Sequence, residues 1–400
     1  MRDDERPVVI VAGHICLDMI PQFTRTSGVG DQLVPGRLVE VGAAVLATGG
    51  AVFNTGLALQ KLGVQTRLMG KVGDDLFGRA MLDLLRDRDP ALADQMIVAE
   101  GENSSYSIVI SQPGVDRIFL HCPGANDSFC ANDVNVDGLR NARLFHFGYP
   151  PLMRRMYAND GAELEIILRG VKACGITTSL DMAKPDPQSE AGRADWRRIL
   201  KRILPFVDVF LPSLEEILFM MDRDRVVEQG IDGSTLSDVA NQLLEWGAAI
   251  VGIKLGDQGL YLRTTTELSR LSGMGVGVTA DSDSWVDREL LAPCFCVDVM
   301  GTTGAGDCTV AGFLTGLLHG QNPEDALTGA VAVGACNVEA ADATSGVQSW
   351  ESVWQRIDAG WTRRTVDIDL NGWEWNERGS VWMSPRDSVH AQGGGAYADE

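Results

Sequence analysis

Apolar and polar positions along the chain follow two alternating periods. Short, almost wholly apolar runs occur at 8–12 (VVIVA), 66–72, 143–148 (RLFHFG), 176–183 (ITTSLDMA), 207–212 (VDVFLP) and 250–262 (IVGIKLGDQGLYL, two runs around a glycine turn). Their length predicts strands buried on both faces. Between them, apolar residues recur at helical spacing over 54–62, where Gly63 stops the pattern, and over 162–173 and 195–204. A further helix is predicted from the spacing of Ala305, Cys308, Ala311, Phe313, Leu314, Leu317 and Leu318, with Gly320 as its stop. Asn322 and Pro323 then give a cap and first residue, with Glu324 and Asp325 in the first turn, for a helix to about residue 339. Strands alternating with helices imply βαβ units, a parallel sheet and the α/β class.

Other segments depart from this alternation. Residues 31–48 mix Gly and Pro with alternating apolar positions, and 106–121 read as two strands around a Gln-Pro-Gly turn, so together they predict a small separate sheet. Residues 264–290 are polar, with an acidic run at 281–287, and read as a solvated insertion. Val297 and Val299 alternate as a strand end. The stretch 365–400 holds Trp-rich strand-like pieces, and the tail from 390, HAQGGGAYADE, is expected to be disordered. No internal repeat is visible.

Composition narrows the class of partner. A length of 400 residues with 45% apolar content suits one large globular domain with a small appendage. The opening MRDDERPVVIVAG has too short an apolar run for a signal peptide or membrane helix, so a cytoplasmic protein without a membrane partner is expected. Eight cysteines are scattered without C-x-x-C pairs, which suggests neither zinc nor a disulfide framework but small buried hydrophobes. The net charge of −21 argues against nucleic acid. It does not argue against ATP, which needs only one local positive hole.

Chemistry concentrates at 297–320, VDVMGTTGAGDCTVAGFLTGLLHG. A Gly-rich turn feeding a helix N-terminus leaves backbone N–H groups unpaired and adds the positive end of the helix dipole, so it can hold a phosphate. Asp307 falls in the first helical turn beside that hole. Close packing and dipole compensation explain the same residues without a ligand. GAGDCT begins like a dinucleotide fingerprint but carries Thr309 at its sixth position, and no P-loop occurs. Asp18 follows the first strand, where open α/β sheets bind ligands, although a turn or cap would also suit it. Asp181 ends another strand on the ligand side, which makes it a candidate site member, although a solvated turn suits it better.

GTTGAGD at 301–307 resembles the second signature of the ribokinase-like, or PfkB, carbohydrate kinase family, D-T-x-G-A-G-D, with Gly301 in place of the opening Asp. The resemblance implies that Asp307 is the general base, acting at its normal pKa, and that Gly304, Ala305 and Gly306 form the hole for the transferred phosphoryl group. The stretch 48–78 is similar to the first signature through Gly49, Gly50, Asn54, Gly63 and Gly73, while Val52 and Gly56 depart from it. By the same resemblance Asp18, Gly50, Asn54 and the Asn126 of PGAND bind the sugar. Glu216 matches the Glu of an N-x-x-E motif whose Asn is Ser213 here, which implies a magnesium role through water. G-D-Q-G gives Gly256 and Gly259 to the nucleotide, with Lys254, Thr302 and Thr303 beside them.

The family implies a ribokinase-like α/β fold, a mostly parallel central sheet flanked by helices with a small β lid. Residues 8–346 would form the kinase domain, with lid strands within about 14–48 and 104–122, and 347–400 would be a C-terminal extension. The implied activity is ATP-dependent phosphorylation of a sugar hydroxyl with Mg²⁺. The alternatives are a nucleoside kinase and a non-catalytic sugar-binding protein on the same fold. The family's lid allows a homodimer. Many members are activated by K⁺ through the Asp that Gly301 replaces, so weak or absent K⁺ activation is expected here.

Overall fold

The computed structural model describes residues 8–23, 34–112, 115–139, 141–221, 230–278 and 281–389. Residues 31–33 of the first lid segment and the tail from 390 lie outside them.

Ten strands form the main sheet, in the order β15-β16-β14-β13-β12-β11-β10-β9-β1-β4. The strands are β1 (Val8–Gly13), β4 (Gln65–Met69), β9 (Ala142–Gly148), β10 (Thr177–Asp181), β11 (Val209–Phe210), β12 (Ile250–Lys254), β13 (Leu260–Thr264), β14 (Glu289–Ala292), β15 (Glu374–Asn376) and β16 (Val381–Met383). From β4 to β12 neighbours are parallel; from β12 to β15 they are antiparallel. Along β1 the pleat sends Val9 and Val11 to one core and Ile10 and Ala12 to the other, so both sheet faces are buried. The first core is closed by α1 (Ala51–Lys61), α2 (Leu76–Arg86), α7 (Ala305–Leu318), α8 (Pro323–Val338) and α9 (Trp350–Asp358). On the opposite face lie α3 (Ala162–Ala173), α4 (Trp196–Ile203), α5 (Leu214–Met221) and α6 (Gly233–Glu245). Side-chain caps fix several starts: Asp195 accepts from the Arg198 N–H at 3.1 Å and Asn322 from Asp325 at 2.8 Å.

A second sheet, β3-β2-β7-β8, stands apart from the first. It contains β2 (Cys16–Pro21), β3 (Ala44–Gly49), β7 (Tyr106–Gln112) and β8 (Val115–Cys122). A small parallel pair, β5 (Lys71–Gly73) and β6 (Ile97–Ala99), completes the strands.

The structure corrects several expectations. Among the described residues of 34–48 only β3 is a strand; 34–43, which include Pro35, Gly36 and Gly42, form none. Residues 264–290 are not simply a solvated insertion, because they bury Trp285 and end in β14, inside the main sheet. The glycine loop is not fed by a strand at 297–299: β14 stops at Ala292, and Pro293 has no N–H to continue it. Val299 and Met300 are exposed. Residues 347–389 are not an appendage, since β16 pairs with β14 and covers what would otherwise be an open sheet edge. The buried Asp387 carboxylate seals that join, accepting from the Glu289 N–H at 2.8 Å and from Arg288 Nε at 3.0 Å. Only Cys16, Cys308 and Cys336 are buried; Cys174 and Cys296 are exposed, and all eight are free. Among the described residues no helix is long and apolar enough to cross a membrane.

Candidate active site

α7 starts at the carboxyl end of the sheet and is apolar on nearly every side, so it packs as a central helix between α1 and α8. Its cap, Gly304, has φ 71°, ψ 1°, and a Cβ there would lie 2.4 Å from the Ala343 carbonyl oxygen; only glycine fits. The Ala305 N–H closes a turn on the Thr302 carbonyl at 3.3 Å. The next two amides, of Gly306 and Asp307, occupy positions that have no partner within a helix. These two amides, rather than that of Ala305, are the ones left open to a ligand.

Asp307 is only 2% exposed, yet it faces a cavity. Its Oδ2 accepts from Asn54 Nδ2 at 3.0 Å, its Oδ1 from Thr55 Oγ1 at 3.2 Å, and both accept from the Tyr149 hydroxyl at 2.8 Å. Burial raises the Asp307 pKa; the Asn54 amide, the Lys254 charge and the Tyr149 and Thr55 hydroxyls offset it only in part. The normal pKa expected from the resemblance is thus corrected upward.

The cavity over Asp307 has a volume of about 790 Å³ and is lined by Asp18, Gly50, Asn54, Thr302, Thr303 and Gly304, among others. Asp18 lies on β2, where Cys16 Sγ donates to its Oδ1 at 3.3 Å. β3 comes so near that a Cβ on Gly49 would stand 2.5 Å from Asp18 Oδ2, which explains the glycine. Gly50 caps α1, and Asn54 points from that helix's first turns to Asp307 rather than capping it. Asn126 is placed differently: its amide grips the Ile15 backbone, accepting from N–H at 3.2 Å and donating to C=O at 2.9 Å. It is fully buried and does not line the cavity, so the structure gives it a bracing role instead of a sugar contact.

A second cavity, about 300 Å³, lies on the other side of the loop. Lys254, Gly256, Gly259, Thr302, Ala305 and Gly306 line it, with Val297, Val331 and Val338 as an apolar wall. Thr302 belongs to both cavities, so residues 302–307 form the partition between them. At the partition Lys254 makes an ion pair with Asp181, which is fully buried and no solvated turn. Burial works against the Lys254 ammonium, but Asp181 and then Glu216 outweigh it and raise its pKa. Glu216 Oε2 accepts from the Ser213 N–H at 2.6 Å while Ser213 Oγ accepts from the Glu216 N–H at 3.2 Å, a reciprocal capping box. Asp181 Oδ2 is buried without a partner. Among the described residues no three His, Cys, Asp or Glu side chains are grouped to hold a metal by themselves. A hydrated magnesium ion carried on a triphosphate needs only one or two such carboxylates, so Glu216 and the unpartnered Asp181 oxygen fit it.

Gly301 donates its N–H to Val338 O at 3.2 Å, and a Cβ there would lie 2.9 Å from Ala341 O. The position has little room for the acidic side chain that the resembled signature carries.

Sequence reasoning missed Thr55, His14, His121 and Tyr149. His14 and His121 meet Nε2 to Nε2 at 3.3 Å, and His121 Nδ1 reaches Ser107 Oγ at 3.1 Å on the same cavity wall. Burial lowers the pKa of both, so the pair is neutral near pH 7. Tyr149 had a signal available, since it directly follows the carboxyl end of β9, where α/β sheets place ligand groups. Thr55 had none, because an interior helical Thr normally turns to its own backbone.

Comparison with known proteins extends the picture. A family model described as pfkB family carbohydrate kinase matches residues 9–350. An uncharacterized sugar kinase of Archaeoglobus fulgidus is 28% identical over 269 residues, 67% of this chain and 89% of its own length. A fructokinase-2 of Oryza sativa is 25% identical over 320 residues, 78% of this chain and 80% of its own. Among solved structures, Arabidopsis thaliana ribokinase complexed with ribose and ATP has a TM-score of 0.67 at 19% identity, covering 88% of this chain and 98% of that one. A nucleoside kinase of Methanocaldococcus jannaschii reaches 0.62 at 18% identity, with the same coverage of 88% and 98%.

Proposed function

The chain belongs to the pfkB family of carbohydrate kinases, with a ribokinase-like fold, and from that premise we propose that it transfers the terminal phosphoryl group of ATP to a hydroxyl of a free sugar. One observation carries the reading: residues 302–307 separate a large cavity of mixed lining, with Asp18, Asn54 and Asp307 on its wall, from a smaller and more apolar one lined by Gly306. Phosphoryl transfer needs two ligands held in line across one point, a base on the hydroxyl side and positive charge on the phosphate side.

The valine-walled cavity suits a nucleobase, which asks for apolar faces and few polar contacts. Its triphosphate would extend to the partition, where the Gly306 and Asp307 amides and the Lys254 ammonium supply fixed positive charge. A bound magnesium ion, held through Glu216 and Asp181, would neutralise phosphate oxygens. On the other side Asp18 and Gly50 would hold the sugar, and Asp307 would take the proton of its reacting hydroxyl. Among the described lining residues Lys184 is the only lysine or arginine of the large cavity, and it is bound to Glu215, which favours an uncharged acceptor.

The test is a screen of sugars and nucleosides with ATP and Mg²⁺, read as ADP release and as thermal shift. Sugar-dependent ADP release is expected. Release with nucleosides alone would transfer the assignment to a nucleoside kinase, and a sugar-induced shift without ADP release would refute catalysis.

A further inference from the structure

An ionised carboxylate offers about four lone-pair sites. On Asp307, Asn54 and Thr55 fill one site on each oxygen, and the Tyr149 hydroxyl spans both oxygens. Thr55 is buried on α1 behind the base and Asn54, on the same helix, is buried at the edge of the cavity, whereas the Tyr149 ring is half-buried on the cavity wall and its hydroxyl lies against both carboxylate oxygens. A reacting hydroxyl must donate to the same carboxylate from the same cavity. The phenol therefore stands where the acceptor hydroxyl has to be.

Two further features mark the residue. Tyr149 sits at φ 63°, ψ 46°, a left-handed conformation that a bulky side chain adopts only under strain. Such strain persists only where the surroundings enforce it, and here the Tyr149 N–H is held by the Asp181 carbonyl at 3.3 Å just past β9. The ring also has somewhere to go, since the cavity of about 790 Å³ opens beside it.

We propose that Tyr149 is an acceptor-displaced stopper on the base: its hydroxyl holds Asp307 while no acceptor is bound, and the acceptor hydroxyl takes its place for transfer. The idea rests on the kinase reading above. With acceptor in place, its oxygen bonds to the terminal phosphorus of the nucleoside triphosphate, the bridging P–O bond to the diphosphate breaks, and the proton passes to Asp307. With water in that place the same exchange would yield inorganic phosphate and nucleoside diphosphate. By occupying the base, Tyr149 denies water its proton acceptor and spares the triphosphate. Tyr149 is thus a positioning residue for Asp307.

The test compares wild type, Tyr149→Phe and Thr55→Val in ADP release from ATP and Mg²⁺ without acceptor, and in the pH profile with the acceptor found by screening. In the acceptor-free enzyme both hydroxyls stabilise the Asp307 anion, so removing either moves the acid limb of kcat/KM to higher pH. Only Tyr149→Phe should raise acceptor-free hydrolysis, by about tenfold or more, equal to about 1.4 kcal/mol in the barrier. Hydrolysis unchanged in Tyr149→Phe, or raised equally in Thr55→Val, overturns the stopper. Absence of ADP release from wild type with every acceptor would instead refute the kinase reading, and the stopper with it.

Discussion

Replacing Asp307 by Asn separates catalysis from stability in one substitution. The amide keeps the shape of the carboxyl but cannot accept a proton, and loss of a general base costs about 10²- to 10⁴-fold in rate. At about 1.4 kcal/mol per tenfold, that is about 2.8 to 5.6 kcal/mol of transition-state stabilisation. The fold should not suffer. Asp307 is 2% exposed with its pKa raised by burial, so in the native state its charge is held at a cost. A carboxyl whose native pKa lies above its unfolded one contributes most stability at low pH, when protonated, and loses it as pH rises through the carboxylate range. An amide carries no such cost, although it brings an N–H₂ towards two donors. Thr55 and Tyr149 can rotate their hydroxyls to accept, and Asn54 has an unpartnered Oδ1 that a flip would present. The expected result is ADP release reduced at least 100-fold with nucleotide binding retained. The melting temperature of Asp307→Asn should match wild type at low pH and equal or exceed it near pH 7. Turnover within tenfold of wild type would refute the base assignment, and a fall of several degrees in melting temperature near pH 7 would refute the claim that the charge is held at a cost.

Asp18→Ala should weaken sugar binding by roughly 1.5 to 3 kcal/mol and leave ATP binding alone, as measured by calorimetry; unchanged sugar affinity would leave Asp18 a structural residue of β2. Lys254→Ala strands the Asp181 carboxylate, of which 1% of the side chain is exposed, and should cost about 3–5 kcal/mol of stability. Chemical denaturation should show recovery of most of that loss in the double variant Lys254→Ala, Asp181→Asn, and a stable single variant would contradict the pairing. Because Gly301 supplies no side-chain oxygen and has little room for one, rates at fixed ionic strength should change less than tenfold among K⁺, Na⁺ and a bulky organic cation. A larger K⁺ effect, above about 1.4 kcal/mol in the barrier, would show that other oxygens complete a site.

What the sequence determined by itself was local and periodic. The helix over 162–173 and the Asn322-capped helix after Gly320 are visible in single turns of chain, because caps and 3.6-residue periodicity act between near neighbours. The same holds for the loop that puts Asp307 in a first helical turn, since glycine content and helix start are neighbours in sequence. Pairings across the fold were decided only by tertiary structure. β16 completes the edge beyond β14 although nearly ninety residues separate them, and its own run, Val381–Met383, is too short to announce a partner. Asp181 reads as a turn until the Lys254 ammonium is placed against it from another strand. Asn126 reads as a ligand residue until the Ile15 backbone takes both ends of its amide. The raised pKa of Asp307 and the phenol over it depend on burial and on Tyr149, 158 residues away in the chain. Desolvation and hydrogen-bond occupancy belong to the assembled environment, so a sequence can name the base but cannot say what guards it.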